Sequence, residues 1–404
     1  MKGSELVVRG NILKDFKIIA NIHEWRDQDA YLLLDEIEYK GMKGAVFTYS
    51  NPPVHQMGNP ALDAYLEGFD RLNAGLSKLE FLLFYSGTDP VHAGGDLKES
   101  LDRLDSTNEK RKELQERGAS EQEIDALYNW ADARLKKGLA LYSAIRRASR
   151  IVTTVAVCGG GVRFGGSAEV PLMADYLVGD SRSAMCFSEA MIGLIPGWGG
   201  VGRTITKAGS QNAQFMAMTC PVVRAPDLKK AGIYDKIIQI DRPLPKKKRT
   251  GNKDEDTKIY ARDLEENEKH SALLLIPAAL ELALEKPLAR KNSGEQKLAN
   301  FEDMAGDIER RSNPDTYKGL WGKPLNEVKD EIKKLGRPLA PQSIEKLKEL
   351  FSILDDLGDD RAFNEENFVT IEMNLDALLY RDPRFREGIT ATLEQRVADF
   401  KEEG

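Results

Sequence analysis

Histidine and cysteine are scarce in this chain of 404 residues, which has four of the first and three of the second. The histidines form no spaced pair of the HExxH kind, and the cysteines form no CxxC pair. This spacing disfavours a histidine or cysteine metal site and also a disulfide framework. We predict no metal site, and we predict that Cys158, Cys186 and Cys220 are small buried hydrophobic residues.

Long apolar runs and an excess of basic residues are also absent. The longest apolar run, ALLLIPAAL at 272–280, is far below the roughly 18 residues of a membrane span. The formal net charge is -7, so the chain lacks the excess of Lys and Arg that is typical of nucleic-acid-binding proteins. No N-terminal stretch has the pattern of a targeting segment. These absences predict a cytoplasmic protein that binds neither nucleic acid nor a membrane.

Three familiar motifs are missing or incomplete. Neither glycine cluster is followed by Gly-Lys-Ser or Gly-Lys-Thr, and no GxSxG stretch occurs, which excludes a phosphate-binding P-loop and disfavours a serine hydrolase. A GxGxxG pattern does occur at Gly197, Gly199 and Gly202, but it is entered through Ile195-Pro196 rather than from a strand. Since no acid stands about 20 residues further on, the pattern does not favour a dinucleotide site.

What is present is a strand and helix alternation typical of an α/β fold. Apolar and β-branched runs predict strands at 30–41, 44–54, 80–87, 150–161 and 175–180, and helical spacing predicts helices at 61–76, from about 166 and from about 203. We divide the chain into a core at 1–240, with a helical insert at about 100–148, and a charged linker and helical region at 241–404. Prolines should break the helices of this last region, namely Pro277, Pro287, Pro324, Pro338, Pro341 and Pro383.

Two glycine turns stand beside acids, in VHAGGDLKE and RFGGSAEV. Backbone N–H groups in such turns are able to approach a substrate carbonyl, because no bulky side chain intervenes. Glu169 follows Gly166 by one helical turn, and Glu189 opens a nearly uncharged run where burial would raise its pKa and suit proton transfer. Structural roles for these two acids are alternatives to catalysis: Glu169 as an acid in the first turn of a helix, and Glu189 as a neighbour of a helix N-cap.

These stretches resemble the crotonase superfamily, the enoyl-CoA hydratase and isomerase family. The resemblance runs through GAVFTYSNPPVHQMGNPALDAYLEGFDRL, FLLFYSGTDPVHAGGDLKE and TTVAVCGGGVRFGGSAEVPLMADYLVGDSRSAMCFSEAMIGLIPGWGGVGRT. It implies a ClpP-like spiral of ββα units with an extended helical C-terminal region, assembled as a homotrimer or hexamer. It also implies an acyl-CoA substrate, with coenzyme A as part of that substrate and no separate cofactor.

The resemblance implies roles for particular residues. Glu169 and Glu189 match the catalytic pair of the hydratases, and the backbone N–H groups of Ala93 and Gly166 match the oxyanion donors. The residues expected to contact CoA or substrate are His55, Met57, Gly94, Gly95, Asp96, Leu97, Gly165, Pro196 and Gly197.

Departures from the family pattern keep other reactions open. Ser167 stands where a third glycine is common, Thr154 stands where a proline is usual, and the segments at 100–148 and 242–340 are expanded. Arg163 and Trp198 would be unusual pocket groups if they faced inward. The alternatives are hydrolysis of a CoA thioester, cleavage of a ring or C–C bond in an unusual acyl-CoA, and a non-catalytic scaffold.

Overall fold

The computed structural model describes residues 3–10, 13–247, 250–285, 298, 301–357 and 363–401. The chain forms two compact units, each built from segments that alternate along the sequence. The first unit contains 1–95, 140–186 and 222–298, and the second contains 96–139, 187–221 and 299–404. This division differs from the predicted boundary at about 240, because the chain passes repeatedly from one unit to the other.

A seven-stranded sheet forms the centre of the first unit, in the order β1-β2-β3-β4-β6-β8-β11. The first three strands pair antiparallel and the remaining pairs are parallel. All five predicted strands are present, which confirms the α/β fold class. The strand bounds in chain order are β1 Phe16–Asp27, β2 Ala30–Tyr39, β3 Met42–Ser50, β4 Phe81–Tyr85, β5 Val91–His92, β6 Thr153–Cys158, β7 Val162–Phe164, β8 Tyr176–Asp180, β9 Ala184–Cys186, β10 Val223–Arg224 and β11 Lys236–Ile238.

A smaller sheet in the same unit has the order β10-β9-β7-β5. β5 and β7 are parallel neighbours, with Val91 opposite Val162 and His92 opposite Arg163. Because parallel neighbours end at the same edge, the turns that follow them leave the sheet together. This short sheet therefore brings the two glycine-rich turns side by side.

Helices make up most of the rest of the described chain. The helix bounds are α1 Gly3–Arg9, α2 Asn59–Asn73, α3 Leu97–Glu116, α4 Glu121–Asp125, α5 Asn129–Ser149, α6 Gly166–Leu172, α7 Gly200–Ala208, α8 Ser210–Thr219, α9 Ala225–Lys230, α10 Lys253–Glu285, α11 Phe301–Ser312, α12 Lys329–Leu335, α13 Pro341–Leu357, α14 Glu365–Leu379 and α15 Pro383–Leu393. Helices α3, α4 and α5 occupy the region of the predicted insert, and the helical C-terminal region is confirmed in the described residues. No described helix is both long and apolar enough to cross a membrane.

Helix α10 covers one face of the large sheet. Its residues Leu275, Ile276 and Ala279 share a core with Val155 and Val178 of the strands. The helix runs through Pro277, so the predicted break at that residue is wrong. Proline removes the hydrogen bond to the carbonyl four residues earlier, and that carbonyl belongs to the exposed Leu273, where water is able to bind it.

The other predicted helix breaks have different outcomes. Pro341 and Pro383 each begin a helix, as an N-terminal proline favours. Pro287 lies outside the described residues. All three cysteines are buried and unlinked, as predicted, and burial raises the pKa of the Cys220 thiol to about 12.

Candidate active site

The two glycine turns of the first unit touch each other. A Cβ atom built on Gly94 would lie 3.0 Å from the carbonyl oxygen of Phe164 and 3.2 Å from the backbone nitrogen of Gly166. A side chain at Gly94 would therefore push the two turns apart. Gly165, which precedes α6, has φ of 49° and ψ of -130°, a conformation that side chains disfavour.

The structure corrects the predicted oxyanion donor in the first turn. The N–H of Ala93 donates to the carbonyl oxygen of Val54 at 2.6 Å, so this donor is already bound within the chain. Two residues further on, the N–H of Gly95 makes no hydrogen bond to any described residue, and the same is true of the N–H of Gly166. The donors that the turns leave available are therefore those of Gly95 and Gly166.

Ser167 joins the two turns. Its hydroxyl donates to the carbonyl oxygen of Ala93, and the carbonyl oxygen of His55 lies 3.5 Å away. Thus Ser167, which stands where the crotonase superfamily commonly has glycine, supplies a hydrogen bond from the second turn to the first.

The two candidate catalytic acids are both buried, although each belongs to a different unit. Glu169 lies in α6 of the first unit with 3% of its surface exposed, and its N–H donates to the carbonyl of Gly165 at 3.0 Å. Glu189 begins a one-turn helix, Glu189–Met191, in the second unit and is 7% exposed. The structure thus gives two buried carboxyl groups, and their action as a pair stays a prediction.

Several predicted binding residues lie along the first turn. The N–H of Met57 donates to the carbonyl of Gly94 at 2.9 Å, and Met57 pairs with Gly95 in an isolated β-bridge. Both His55 and Met57 are buried. Asp96 accepts the N–H of Glu99 at 3.0 Å and caps α3, and Leu97 is the first residue of that helix.

An enoyl-CoA hydratase/isomerase family model matches residues 93–252, the segment that holds both glycine turns and both acids. Over this segment the chain is similar to the crotonase superfamily.

Three relatives named as enoyl-CoA hydratases match only part of this chain. It is 33% identical over 81 residues to a mitochondrial enoyl-CoA hydratase of Pongo abelii, covering 20% of this chain and 28% of that protein. It is 23% identical over 185 residues to a protein of Mycobacterium leprae named probable enoyl-CoA hydratase, covering 44% of this chain and 68% of that protein. The match to a relative in Dictyostelium discoideum spans 30% of that protein's length.

A solved structure has a similar fold. The enoyl-CoA hydratase from Rhodobacter sphaeroides superposes with a TM-score of 0.51 and 16% sequence identity, covering 94% of this chain and 89% of that one. This likeness supports the crotonase fold.

Pro196 and Gly197, predicted to contact substrate, are buried in the second unit of this crotonase fold. A Cβ atom on Gly197 would lie 2.5 Å from Oδ2 of Asp376 on α14. Asp376 also accepts the N–H of Ile195 at 3.0 Å. Gly197 therefore allows close packing against α14, which gives this glycine a structural role.

The GxGxxG pattern also serves packing in the second unit. The carboxylate of Glu372 on α14 accepts the N–H groups of Gly199, Val201 and Gly202, at 3.2, 3.3 and 3.0 Å. A dinucleotide phosphate would need such N–H groups. Because an internal carboxylate already occupies them, the structure supports the sequence argument against dinucleotide binding.

Asp89 is a residue of this region that no sequence motif singles out. Its carboxylate accepts a hydrogen bond from Nε2 of His55, while Nδ1 of His55 accepts the N–H of Asn51 at 3.1 Å. Both ring nitrogens of His55 are therefore bound within the chain, and its ring packs inward. We therefore expect the predicted contact of His55 with CoA to be made by its backbone.

Proposed function

We propose that this protein binds an acyl-CoA thioester and adds water across a 2-enoyl double bond. The observation that carries the proposal is the contact between the two glycine turns, with Gly94 against Gly166. Their two unpaired N–H groups, on Gly95 and Gly166, supply the donors that a thioester oxygen needs as it gains negative charge. The buried Glu169 follows one helical turn later.

The proposed reaction uses the donors and acids in separate roles. The N–H groups of Gly95 and Gly166 hold the thioester oxygen and stabilise the enolate more strongly than the neutral carbonyl. Glu169 and Glu189 orient a water molecule, and Glu189 takes a proton from it as the water oxygen bonds to C3 and the C2–C3 π electrons move into the thioester as an enolate. Glu189 then gives that proton to C2 as the enolate collapses, so the elements of water end on the two carbons of the former double bond and the carboxylate is regenerated.

CoA would lie along the backbone of residues 54–57 and 94–98. The first turn and its β-bridge partner, Met57, provide a continuous backbone edge for the pantetheine chain. Coenzyme A enters and leaves as part of the substrate, so the proposed reaction needs no separate cofactor.

A panel assay tests this function. The purified protein is given straight-chain and cyclic 2-enoyl-CoA thioesters, and enoyl absorbance and free thiol are followed together. We expect absorbance to fall without thiol release. Glu169→Gln and Glu189→Gln should each lower the rate about 100-fold or more, since general acid–base catalysis contributes on that order.

The control is Glu345→Gln, a change at an exposed acid of α13 in the second unit, which should leave the rate unchanged. Thiol release by the unmodified protein, abolished in the Glu169 variant, would instead establish a CoA thioester hydrolase. Unchanged rates in both glutamine variants would remove the acid pair from the mechanism.

A further inference from the structure

Arg163 of β7 is a buried cation surrounded by neutral partners. Only 1% of its surface is exposed. Its guanidinium donates to Oγ of Ser86 at 2.8 Å and to the carbonyl oxygens of Gly87 and Gly159, both at 3.3 Å. Its Nε–H is buried and has no hydrogen-bond partner among the described residues. No described carboxylate forms an ion pair with Arg163.

A cavity of about 30 Å³ lies against this guanidinium in the first unit. Polar side chains in its wall include those of Tyr65, Tyr85, Ser86, His92, Arg163 and Ser167. Since one water needs roughly 10–15 Å³ on this scale, there is room for about two oxygen-sized groups. Ser86 and Pro171 in the wall are only half-buried, so the cavity is not sealed from solvent.

His92 supplies further unused polar atoms to the cavity. It is 0% exposed, and neither ring nitrogen has a hydrogen-bond partner among the described residues. Its ring stacks on that of His55, with 4.8 Å between ring centroids. Burial holds the pKa of His92 well below its usual value, and the positive charge of Arg163 acts in the same direction. His92 is therefore neutral and able to donate one hydrogen bond.

The two nearby acids make their hydrogen bonds to groups other than Arg163. Asp89 is hydrogen-bonded to His55. Glu268 accepts hydrogen bonds from Tyr85 and from both the N–H and the hydroxyl of Thr88. A buried charge without an ion-pair partner is costly, and the cavity wall presents one such cation, whose Nε–H has no hydrogen-bond partner among the described residues. An anion of two oxygen atoms would satisfy both.

We propose that this cavity binds a carboxylate on the acyl group, so that the substrates are acyl-CoA thioesters that carry a second, free carboxylate. This inference rests on the proposed function, and it names the substrate class. The location supports it, because His92 directly precedes the first glycine turn and Ser167 directly follows Gly166. An acyl chain whose thioester oxygen is held at the turns begins next to the cavity.

Calorimetric titration with two saturated thioesters tests the inference. Glutaryl-CoA and valeryl-CoA have acyl chains of the same length, and only the first ends in a carboxylate. Since neither has a double bond to hydrate, the titration reports binding alone. We expect glutaryl-CoA to bind about tenfold or more tightly than valeryl-CoA, as a charge-assisted hydrogen bond to a buried guanidinium would provide.

Variants of Arg163 locate the effect. Arg163→Met should remove the preference for glutaryl-CoA and leave the affinity for valeryl-CoA within about twofold, while Arg163→Lys should keep part of the preference. The matched control is Arg71→Met, which removes an exposed positive charge on α2 of the same unit and should retain the full preference. Circular dichroism identifies any variant that fails to fold. In that case the unmodified protein's preference for glutaryl-CoA over valeryl-CoA decides whether the carboxylate site exists.

The possible failures are distinguishable. Equal affinity of the unmodified protein for the two thioesters would overturn the carboxylate site, and would mean that the cavity holds water only. A preference that survives in Arg163→Met would also overturn it. If neither thioester binds, the CoA site of the proposed function fails as well, whereas binding with the expected preference but no hydration of any enoyl-CoA would overturn only the proposed reaction.

Discussion

Gly94 is the residue at which the two halves of the proposed oxyanion site meet. Its missing side chain permits the 3.0 and 3.2 Å approaches to Phe164 and Gly166, distances tighter than most real Cβ contacts. Both neighbours are backbone atoms, which do not yield as a flexible side chain would. We therefore expect Gly94→Ala to separate the turns and to lower kcat/KM for enoyl-CoA about tenfold or more, because misplaced donors lose their geometry.

The matched control for that change is Gly306→Ala on α11, where a Cβ would meet no atom within 4 Å. In an exposed helical position this substitution should raise the free energy of unfolding by about 0.5–1 kcal/mol and leave the activity unaltered. Full activity in Gly94→Ala would show that the contact between the turns is not needed for the reaction.

The sequence predicts the side chains of the candidate site better than it predicts which backbone N–H groups are available. The two acids and two glycine turns were identified from the sequence, because glycine and carboxyl groups in those spacings have few roles. The N–H donor was assigned to Ala93, and sequence cannot reveal that this group bonds to Val54. The sequence also cannot show that Arg163 has no ion pair among the described residues, since only the folded chain shows which acids lie near it.

At the scale of elements, α7 depends on a carboxylate from another helix. Glu372 is fully buried and accepts three N–H groups of the GWGGVG stretch. Replacing it with glutamine keeps the volume but removes the charge and turns one oxygen into a donor. We expect Glu372→Gln to lower the free energy of unfolding by about 1.5–3 kcal/mol, measured by urea unfolding, because hydrogen bonds to charged groups contribute on that order.

Glu345→Gln on α13 is the appropriate comparison, since its exposed side chain should change stability by less than about 0.5 kcal/mol. An equally small effect at Glu372 would contradict the view that its charge fixes the start of α7.

Helix α10 offers a paired test of burial. Leu275 is 0% exposed and contacts the large-sheet core, while Leu273 is 44% exposed on the same helix. We expect Leu275→Ala to lower the free energy of unfolding by about 2–5 kcal/mol, and Leu273→Ala to change it by less than about 0.5 kcal/mol. Similar losses in the two variants, measured by urea unfolding, would mean that this helix does not pack as the structure has it.

Two elements show why the fold was only partly predictable. Strand β1 was not predicted, because it lies at a sheet edge with few buried residues and two register shifts against β2. Helix α10 continues through Pro277 because tertiary packing of Leu275 and Ile276 outweighs the lost hydrogen bond. The local sequence pattern indicates which secondary structure a segment prefers. In β1 and α10, contacts with residues distant in sequence determine the structure that forms.

At the scale of the whole molecule, buried histidines should make the fold sensitive to acid. Burial lowers the pKa of His23 and, to a greater extent, that of His92, from an ordinary value of 6.5. Above pH 6.5 these groups are neutral in both states. As the pH falls below 6.5, the unfolded chain binds protons that the folded chain does not, so the free energy of unfolding falls, by at most about 1.4 kcal/mol per pH unit for each histidine.

Urea unfolding of the unmodified protein and of His92→Gln, compared between pH 7 and 5, checks this prediction. The variant should lose less stability across that range. Glu268 acts in the opposite direction. Burial raises its pKa above 4.5, so its contribution to the free energy of unfolding falls as the pH rises. Because Glu268 is present in both proteins, it cancels in the difference, and parallel pH profiles would contradict the assignment to His92.

The interleaved segments of the first unit have a consequence for synthesis on the ribosome. The large sheet receives its last strand from residues 236–238 and its covering helix from 253–285. Until the polypeptide has been translated and released through that helix, Val155, Val178 and their neighbours lack the contacts of Leu275, Ile276 and Ala279. A nascent chain of about 240 residues would therefore expose part of this apolar core, the kind of surface that chaperones bind.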